Sequence, residues 1–486
     1  MKRHFKYIIW LLILAGISIV SCRKENKIDD NPSLKLVFST DSIIFDTVFT
    51  TVGSITRSLK VYNNHDKAVN ISSIRLMGGE ASFYRLNIDG QSAVQQNDIE
   101  VAGNDSVFVF VRVTIDPTSG MTPFVVSDEI SFITNGNEQK VVLAAWGQDA
   151  HYILADKSIG SLKYKIVAAE DSIVTWPADK PYLVYGYAVV DSTGRLIIEA
   201  GAQVHFHNKS GLWVYKGGSL KVSGTQEEPV VFQQDRLEPY FRDLPGQWDR
   251  IWLNEGSVNN EINYAVIRNG FIGLQAETLQ EPMGNQLVLT NTIIENMSGI
   301  GILGRYYAIQ GINNVVANCG QLGILLQGGS YDFRQCTFGN YFKDGVRQDP
   351  NMAITNYYLD PNEVLYVYNL DAYFGNSIIY GNKDEEMLLD SDEQGDYSYV
   401  FDHCLLKTSM NISNDTVFPG CIKNQDPIFV DVDNNNLALD SLSPGIDMGS
   451  LGVINTSLFP AVIDKDILGI SRIASPDMGA YEYIPE

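Results

Sequence analysis

The chain has 486 residues, 45% of them hydrophobic, and its 58 acidic against 35 basic side chains give a formal net charge of −23. This acidity disfavours binding to nucleic acid, anionic lipid headgroups and polyanionic glycans unless a local basic groove overrides it, and the sequence shows no such groove. The five cysteines follow no spacing typical of a disulfide framework or a zinc site.

The N-terminus predicts export and lipidation. Lys2, Arg3 and Lys6 precede an apolar run at residues 7–20, which is too short to span a bilayer comfortably. The run ends in the lipobox IVSC, whose Cys22 would carry a diacylglycerol after cleavage of residues 1–21. We expect an outer-membrane lipoprotein, anchored through Cys22 and either periplasmic or surface-exposed. An ordinary secretory signal with an incidental cysteine is the alternative.

A flexible tether and a β-sandwich are predicted next. Residues 22–35 are polar, charged and without apolar periodicity, as is typical of a linker. Residues 36–150 contain β-type runs such as IIFDTVF, SVFVFVRVTI and KVVLAAWG, separated by turn clusters. Seven or so strands in this length favour a sandwich. The order of its parts resembles the Ig-like domains of bacterial surface proteins, which implies a spacer or docking module.

A solenoid is predicted after a connector or cap at residues 151–181. Across residues 195–232, apolar residues alternate in pairs such as Leu196 and Ile198, and Gly or Asn turns separate the pairs. Strands this short suit coils that hydrogen-bond to the next coil and stack their inward side chains into one core.

An asparagine column marks the expected corners of later coils. Five segments of similar sequence end at Asn269, Asn296, Asn318, Asn340 and Asn382. Two of the offsets are 22 residues, about one coil of a parallel β-helix. Asparagine tolerates left-handed backbone angles and can hydrogen-bond to the same corner of the next coil. The column is therefore interpreted as structural.

At these residues the chain resembles the right-handed parallel β-helix family, the pectate-lyase-like solenoids, as found in lipoproteins of Bacteroidetes type. LIIEAGAQVHF and GGSLKVSG look like its first coils, and SPGIDMGS resembles its closing segment. The resemblance implies an all-β chain with a right-handed parallel β-helix over residues 182–436 and a closing segment over 437–486. The interior is expected to contain Leu196, Ile198, Val204, Phe206, Leu220, Val222, Ile267, Ile294, Val316 and Phe338.

No set of residues in the sequence matches the catalytic sites of this fold. Lyases of this fold hold Ca²⁺ with carboxylates on neighbouring coils and use an Arg or Lys base, and its hydrolases use paired Asp residues. The nearest sets here are Asp243, Asp249 and Arg250, and Asp344, Arg347 and Asp349. Both sets lie in predicted loops, where solvated turns are the simpler interpretation.

Two acidic stretches partly match a calcium loop. In DSDEQGD, Asp390, Asp392 and Asp396 alternate, but Phe401 stands where a bidentate Glu is needed. DVDNNN at residues 431–436 alternates in the same way, again without a closing Glu. Calcium is therefore a weak prediction at either stretch, with a solvated turn as the alternative, and no other cofactor is expected.

The aromatic loop at residues 341–374 contains the candidate ligand-binding residues. Tyr357, Tyr358, Tyr366 and Tyr368 could stack on neutral sugar rings, or they could pack flat on the coils to hold the loop. We favour packing and keep glycan contact open. Two other residues, Cys336 and Cys404, take equivalent positions in CTF and CLL and are expected to point inward.

Three function classes follow. The first is a membrane-anchored, non-catalytic protein that binds glycan or a surface protein through the solenoid, and no nucleic acid. The second is a polysaccharide lyase or glycoside hydrolase, which only the family resemblance supports. The third is a structural component of the cell envelope, which the sequence does not separate from the first.

Overall fold

The computed structural model describes residues 28–49, 53–114, 124–237, 239–254, 256–278, 286–454 and 463–485. The chain forms two compact units, residues 1–148 and 149–486. The predicted signal peptide, Cys22 and the first part of the tether lie outside the described residues. Within the described ranges, no helix combines the length and hydrophobicity needed to cross a bilayer.

The first unit contains two five-stranded sheets. In spatial order, one sheet consists of Val37–Phe38, Arg57–Asn63, Asp105–Val113, Tyr84–Ile88 and Gln91–Ser92. The other consists of Ser42–Phe49, Asn137–Gln148, Phe124–Thr134, Val69–Leu76 and Gln95–Val101. All pairs are antiparallel except Ser42–Phe49 with Asn137–Gln148, which are parallel. A 3-10 turn at Gly79–Ala81 precedes Tyr84–Ile88.

Strict alternation along the strands builds the core of this unit. In Asp105–Val113, Val107, Val109 and Val111 are buried while Phe108 and Phe110 face outward. Residues of both sheets meet in one hydrophobic cluster, so the unit is a sandwich. Its assignment to the Ig-like group stays a prediction.

The second half of the predicted tether is part of the sandwich. The amide of Asp29 donates to the carbonyl of Ala68 at 2.8 Å, and the side chain of Asn135 donates to the carbonyl of Asp29 at 2.9 Å. The side chain of Asn137 donates to the carbonyl of Pro32 at 2.6 Å. The prediction of a flexible linker is therefore wrong for residues 28–35, because asparagine amides of the sandwich satisfy its backbone despite its polar composition.

The second unit is a parallel β-helix with three faces, and each coil visits them in the order A, B, C. Face A consists of His151–Leu154, Tyr182–Tyr185, Gln203–Phe206, Val230–Gln234, Ala265–Arg268, Ile293–Glu295, Val315–Ala317, Thr337–Asn340, Ile378–Gly381, Leu405–Leu406 and Ile422–Lys423. Face B consists of Leu162–Ala168, Tyr187–Val190, Gly211–Val214, Ile251–Leu253, Ile272–Glu277, Met352–Thr355 and Met387–Asp390. Face C consists of Ile173–Trp176, Arg195–Glu199, Ser219–Ser223, Asn260–Asn263, Leu287–Thr290, Leu370–Gly375 and Tyr397–Asp402. Ile300–Ile312 and Ile324–Arg334 run through faces B and C.

Parallel pairing between successive coils confirms the predicted solenoid, while its handedness stays a prediction. Leu196 pairs with Leu220 and Ile198 with Val222, which places the predicted inward residues one above the other. All ten predicted interior residues are buried in one core cluster. Pairing already begins at His151, within the segment predicted as connector or cap, and ends at Lys423.

Two columns of left-handed residues form the corners. Asn269, Asn296 and Asn318 have positive φ, and the amide of Asn318 donates to Asn296 at 2.6 Å, as the sequence predicts. The same prediction does not apply to Asn340 and Asn382, whose φ is not positive. A second column, between faces C and A, is not predicted from the sequence and contains Asn291, Asn313, Gln335 and Asn376.

Smaller elements complete the unit. Lys157–Ile159 pairs antiparallel with Leu162–Ala168, Tyr357–Leu359 with Leu365–Val367, and Phe429–Asp431 with Asn436–Leu439. Short helical turns lie at Pro239–Phe241, Val432–Asn434 and Leu451–Ile454.

The closing segment lies along the outer side of face A. Leu437, Ile467 and Ala480 cover Val315 and Ala317 in a small hydrophobic cluster. Arg472 is fully buried there, and its guanidinium donates to Glu482 at 2.7 Å and to the side chain of Asn313, 159 residues earlier in the chain. The segment is therefore fastened to the middle coils through a corner asparagine.

Candidate functional site

The set of Asp344, Arg347 and Asp349 is divided between a buried ion pair and an exposed loop. The guanidinium of Arg347 donates to both carboxylate oxygens of Glu386, at 2.5 and 2.6 Å, and both side chains are at most 2% exposed. Glu386 also accepts the amides of Asn351 and Lys383, both at 2.8 Å. Asp344 and Asp349 are exposed and line none of the cavities described below. The arginine therefore holds a loop to the coils.

The candidate tyrosines form a packed stack that we call the tyrosine hairpin, residues 357–368. Tyr358 is 8% exposed and stacks on Tyr366 with ring centroids 5.0 Å apart, and the guanidinium of Arg305 lies over its ring at 4.3 Å. Tyr368 stacks on Tyr306 at 3.9 Å. Most of the tyrosine rings of the hairpin thus pack against other side chains of the protein. Tyr366 has the most exposed of its four tyrosine rings.

The acidic loops do not assemble a metal cluster. Among the residues that the structure describes, no group of three or more His, Cys, Asp or Glu side chains is placed to hold a metal ion. Asp390 accepts the hydroxyl of Tyr357 at 2.5 Å, and Asp392 accepts the amide of Gln394 at 2.9 Å. Asp431 caps a 3-10 turn by accepting the amides of Asp433 and Asn434. Asp396 lies in the same loop as Asp392, and its amide donates to Asn369 at 2.9 Å.

A groove lies along the corner between faces A and B in the first coils of the solenoid. It consists of three adjoining cavities of about 520, 490 and 310 Å³, all of which Asn208 lines. The walls come from six successive turns, because the corner residues of each coil project outward beside those of the next. We call it the corner groove; its lining includes Tyr185, Tyr187, His207, Lys209, Asp249 and Phe271.

Asp249 is the candidate catalytic residue that the fold places in this groove. It accepts the hydroxyl of Tyr187 and, at 2.9 Å, the Nε–H of Arg250. Burial beside this carboxylate raises the pKa of Tyr187 far above its usual range, so its hydroxyl stays protonated. The guanidinium of Arg250 continues to Gln275 and lies 5.6 Å from the ring of Phe271, which is 42% exposed. Asp243, the third member of the predicted set, is exposed and outside the groove.

A second carboxylate lines the groove at the other end of the same turn. Asp235 is buried and lies 2.8 Å from the Nδ1 of His207. The imidazole of His207 stacks on Tyr185 with ring centroids 4.3 Å apart, so the pair is held in place by ring contact and hydrogen bond together. Burial raises the pKa of Tyr185 to about 12, which keeps a neutral hydroxyl at the groove.

The lining of the groove is basic, in contrast to the chain as a whole. Lys163, Lys209 and Arg236 line it together with Asp235 and Asp249. Within the described residues, Lys163 and Lys209 belong to no ion pair and are exposed. Asp235 already pairs with His207 and Asp249 with Arg250. The ammonium groups of Lys163 and Lys209 are therefore available to a ligand in the groove.

Of the residues at or beside the corner groove, only Asp249 and Arg250 are candidates from the sequence. The groove joins corners far apart in the chain, from Lys163 to Ser298, and no local motif spans them. The available signal is the polar and aromatic character of each corner after a face A strand, as in HNKSG and QWDR. Recognising it requires the coil register.

Comparisons with known proteins give weak likenesses. No family model and no curated protein matches the chain. The catalytic domain of a GH87 alpha-1,3-glucanase, solved with tetrasaccharides, is 10% identical over 79% of this chain and 90% of that one, with a TM-score of 0.22. A Porphyromonas gingivalis W83 protein of unknown function is 13% identical over 24% of this chain and 52% of that one, with a TM-score of 0.19, so the match spans about half of that protein. The PapD-like domain 7 of human CEP192 is 11% identical over 25% of this chain and 90% of that one, with a TM-score of 0.18. Similarity at this level assigns no activity.

Proposed function

We propose that the protein is a membrane-anchored envelope lipoprotein that binds a glycan in the corner groove. The observation that carries this proposal is the combination, in one groove, of aromatic rings, neutral hydroxyls and ammonium groups. Rings such as Tyr185 and Phe271 can stack on the apolar faces of sugars, and the polar groups between them can meet hydroxyls.

The charge of the groove favours a glycan that carries acidic groups. The net charge of −23 would repel such a polymer at long range. At physiological ionic strength, however, charges farther apart than about 8 Å are largely screened. A carboxylate bound in the groove would therefore experience mainly Lys163 and Lys209.

Binding measured by calorimetry with neutral and uronate-containing oligosaccharides tests the proposal. We expect the acidic oligosaccharide to bind better, and the double variant Lys163→Ala/Lys209→Ala to lose about tenfold in affinity, since tenfold corresponds to about 1.4 kcal/mol. Lys216→Ala is the matched control, because Lys216 is exposed on the same coil at the next corner. Equal loss in the control, or no loss in the double variant, would refute the groove as the site.

The tyrosine hairpin provides a second control. Tyr366→Ala removes its most exposed ring and should leave glycan affinity unchanged if the corner groove is the site. Loss of binding in this variant, with the groove variants unaffected, would move the site to the hairpin.

Glycoside hydrolysis is the second candidate, because two carboxylates line one groove. Such enzymes use a pair of Asp or Glu residues, one of which must donate a proton. Here both carboxylates already have protein partners, Asp249 in Tyr187 and Arg250 and Asp235 in His207, so neither is left free to act on a bound sugar. We therefore rank binding first. Release of reducing ends that disappears in both Asp235→Asn and Asp249→Asn would reverse this order.

Membrane anchoring has its own test. Cys22→Ala should convert an acylated, membrane-fractionating protein into a soluble or unprocessed one, because the thiol is the only group in the lipobox that can carry the diacylglycerol. Unchanged membrane association of the fully processed variant would exclude the anchor.

A further inference from the structure

We infer that Cys404 and Cys421 form a disulfide that staples the last coil of the solenoid. Cys404 directly precedes Leu405–Leu406, and Cys421 directly precedes Ile422–Lys423, the strand with which it pairs in parallel. The amide of Ile422 donates to the carbonyl of Cys404 at 2.8 Å, and the amide of Cys404 lies 3.4 Å from the Sγ of Cys421. The two cysteines are thus at the same position on adjacent coils.

This register suits the bond. Neighbouring strands lie about 4.8 Å apart, and disulfides join Cα atoms about 4.4 to 6.8 Å apart. The side chains also point the same way, since the Sγ of Cys404 lies 3.3 Å from the carbonyl of Phe374 and that of Cys421 lies 3.1 Å from the carbonyl of Phe401. Both thiols therefore lie on the same side of adjacent strands, at a strand spacing that a disulfide can join.

The accessible thiol is Cys421, which is half-buried, while Cys404 is fully buried. A hydrogen bond from Cys404 lowers the pKa of Cys421, and burial raises the pKa of Cys404. In the exchange, the thiolate of Cys421 attacks the disulfide of a donor and releases one donor thiol. Cys404 then loses its proton and attacks the Sγ of Cys421, releasing the second donor thiol. The donor gains the two electrons that the cysteines lose.

The bond would act where the fold is weakest. Leu405–Leu406 and Ile422–Lys423 are two-residue strands, and the latter ends face A with a single neighbour. In the loop between them, Phe418 stacks on Phe401 at 5.8 Å, and Met410, Ile412 and Val417 pack against the core from partly buried positions. Closing this loop covalently restricts the unfolded state of the terminal coil.

The chain contains its own control pair. Cys319 and Cys336 are separated by the same number of residues and are both buried. Cys336 precedes its face A strand, however, whereas Cys319 follows the preceding one, so the two lie at opposite ends of paired strands. The sequence spacing does not distinguish the two cysteine pairs. The strand register allows a disulfide only between Cys404 and Cys421.

The test uses the full chain purified under reducing conditions and then exposed to oxidised glutathione, so that its outcome does not depend on glycan binding or on the anchor. After denaturation and alkylation, peptide mapping should recover Cys404 linked to Cys421, lighter by two hydrogen atoms, with Cys319 and Cys336 alkylated. Free Cys404 and Cys421, a bond from either to another cysteine, or a stable glutathione adduct on Cys421 would each overturn the inference.

Thermal unfolding gives the second measurement. The oxidised protein should unfold several degrees above the reduced one. Cys421→Ser should abolish the difference between oxidised and reduced samples, whereas Cys336→Ser should retain it. A difference that survives in Cys421→Ser, or that is lost in Cys336→Ser, would contradict the assignment.

Discussion

Two arginines with acidic neighbours in the chain, Arg250 and Arg347, have opposite roles in the fold. Arg347 and its partner Glu386 are at most 2% exposed, and their bidentate pair fixes a loop. Arg250 and Asp249 are 22% and 24% exposed, and Asp249 lines the corner groove. In the sequence, both arginines lie beside acidic residues in predicted loops, and nothing distinguishes them. Burial of the partner carboxylate is what separates a structural ion pair from a binding surface.

The largest effect is expected at the buried pair. Arg347→Met should lower the free energy of unfolding by about 3 to 5 kcal/mol, because Glu386 is left as a buried charge without its partner. Urea denaturation of the full chain measures it. Asp344→Asn and Asp349→Asn are exposed controls and should stay within about 0.5 kcal/mol of the parent. A loss below about 1 kcal/mol for Arg347→Met would remove the distinction between the two arginines.

Two histidines sharpen the same comparison, because His205 is buried and His207, two residues later, lies in the groove with 43% of its side chain exposed. Burial lowers the pKa of His205 from 6.5 to about 4. His205 therefore binds a proton near pH 6.5 in the unfolded chain but only near pH 4 in the folded chain. Through this group the folded state keeps its full stability above pH 6.5, and it loses stability as the pH falls from about 6.5 to about 4.

The expected loss is at most about 3 kcal/mol, since one pKa unit corresponds to 1.36 kcal/mol. Unfolding at a series of pH values measures it. His205→Gln should flatten the curve between pH 6.5 and 4. Equal curves for the parent and His205→Gln would show that other groups control the acid response.

The smallest effect on stability is expected in the groove itself. Arg250→Met should cost about 1 kcal/mol or less, because the pair with Asp249 is partly solvated. The same variant should weaken glycan binding measurably, since it frees Asp249 to repel an acidic ligand. Arg250→Met that unfolds as readily as Arg347→Met would show that the corner is structural.

The fold is predictable from the sequence where it depends only on residues close together in the chain. Alternating pairs such as Val204 and Phe206 have their expected inward positions because successive side chains of a strand point to opposite faces. The asparagine column is also local, since a short amide stabilises a left-handed corner. The column at Asn291 and Asn313 escapes detection because its spacing becomes visible only once the coils are in register.

The candidate site is largely unpredictable for a related reason. Lys163, His207 and Asp249 meet at one groove only because the solenoid stacks their corners, although they are far apart in the chain. The partner of Arg347 lies 39 residues away in a segment without any motif. The tyrosine loop is visible from its composition, yet the use of its rings for packing depends on Arg305 and Tyr306 in earlier coils.

The position of Arg472 has a consequence for biogenesis. A chain that emerges N-terminus first can wind its coils one after another, since each coil needs only its predecessor. The corner at Asn313 nevertheless waits for a residue that emerges 159 positions later. Until then, the outer side of Val315 and Ala317 stays open to water or to a chaperone. Completion of the whole chain, rather than of any coil, therefore decides when this side of the solenoid is covered.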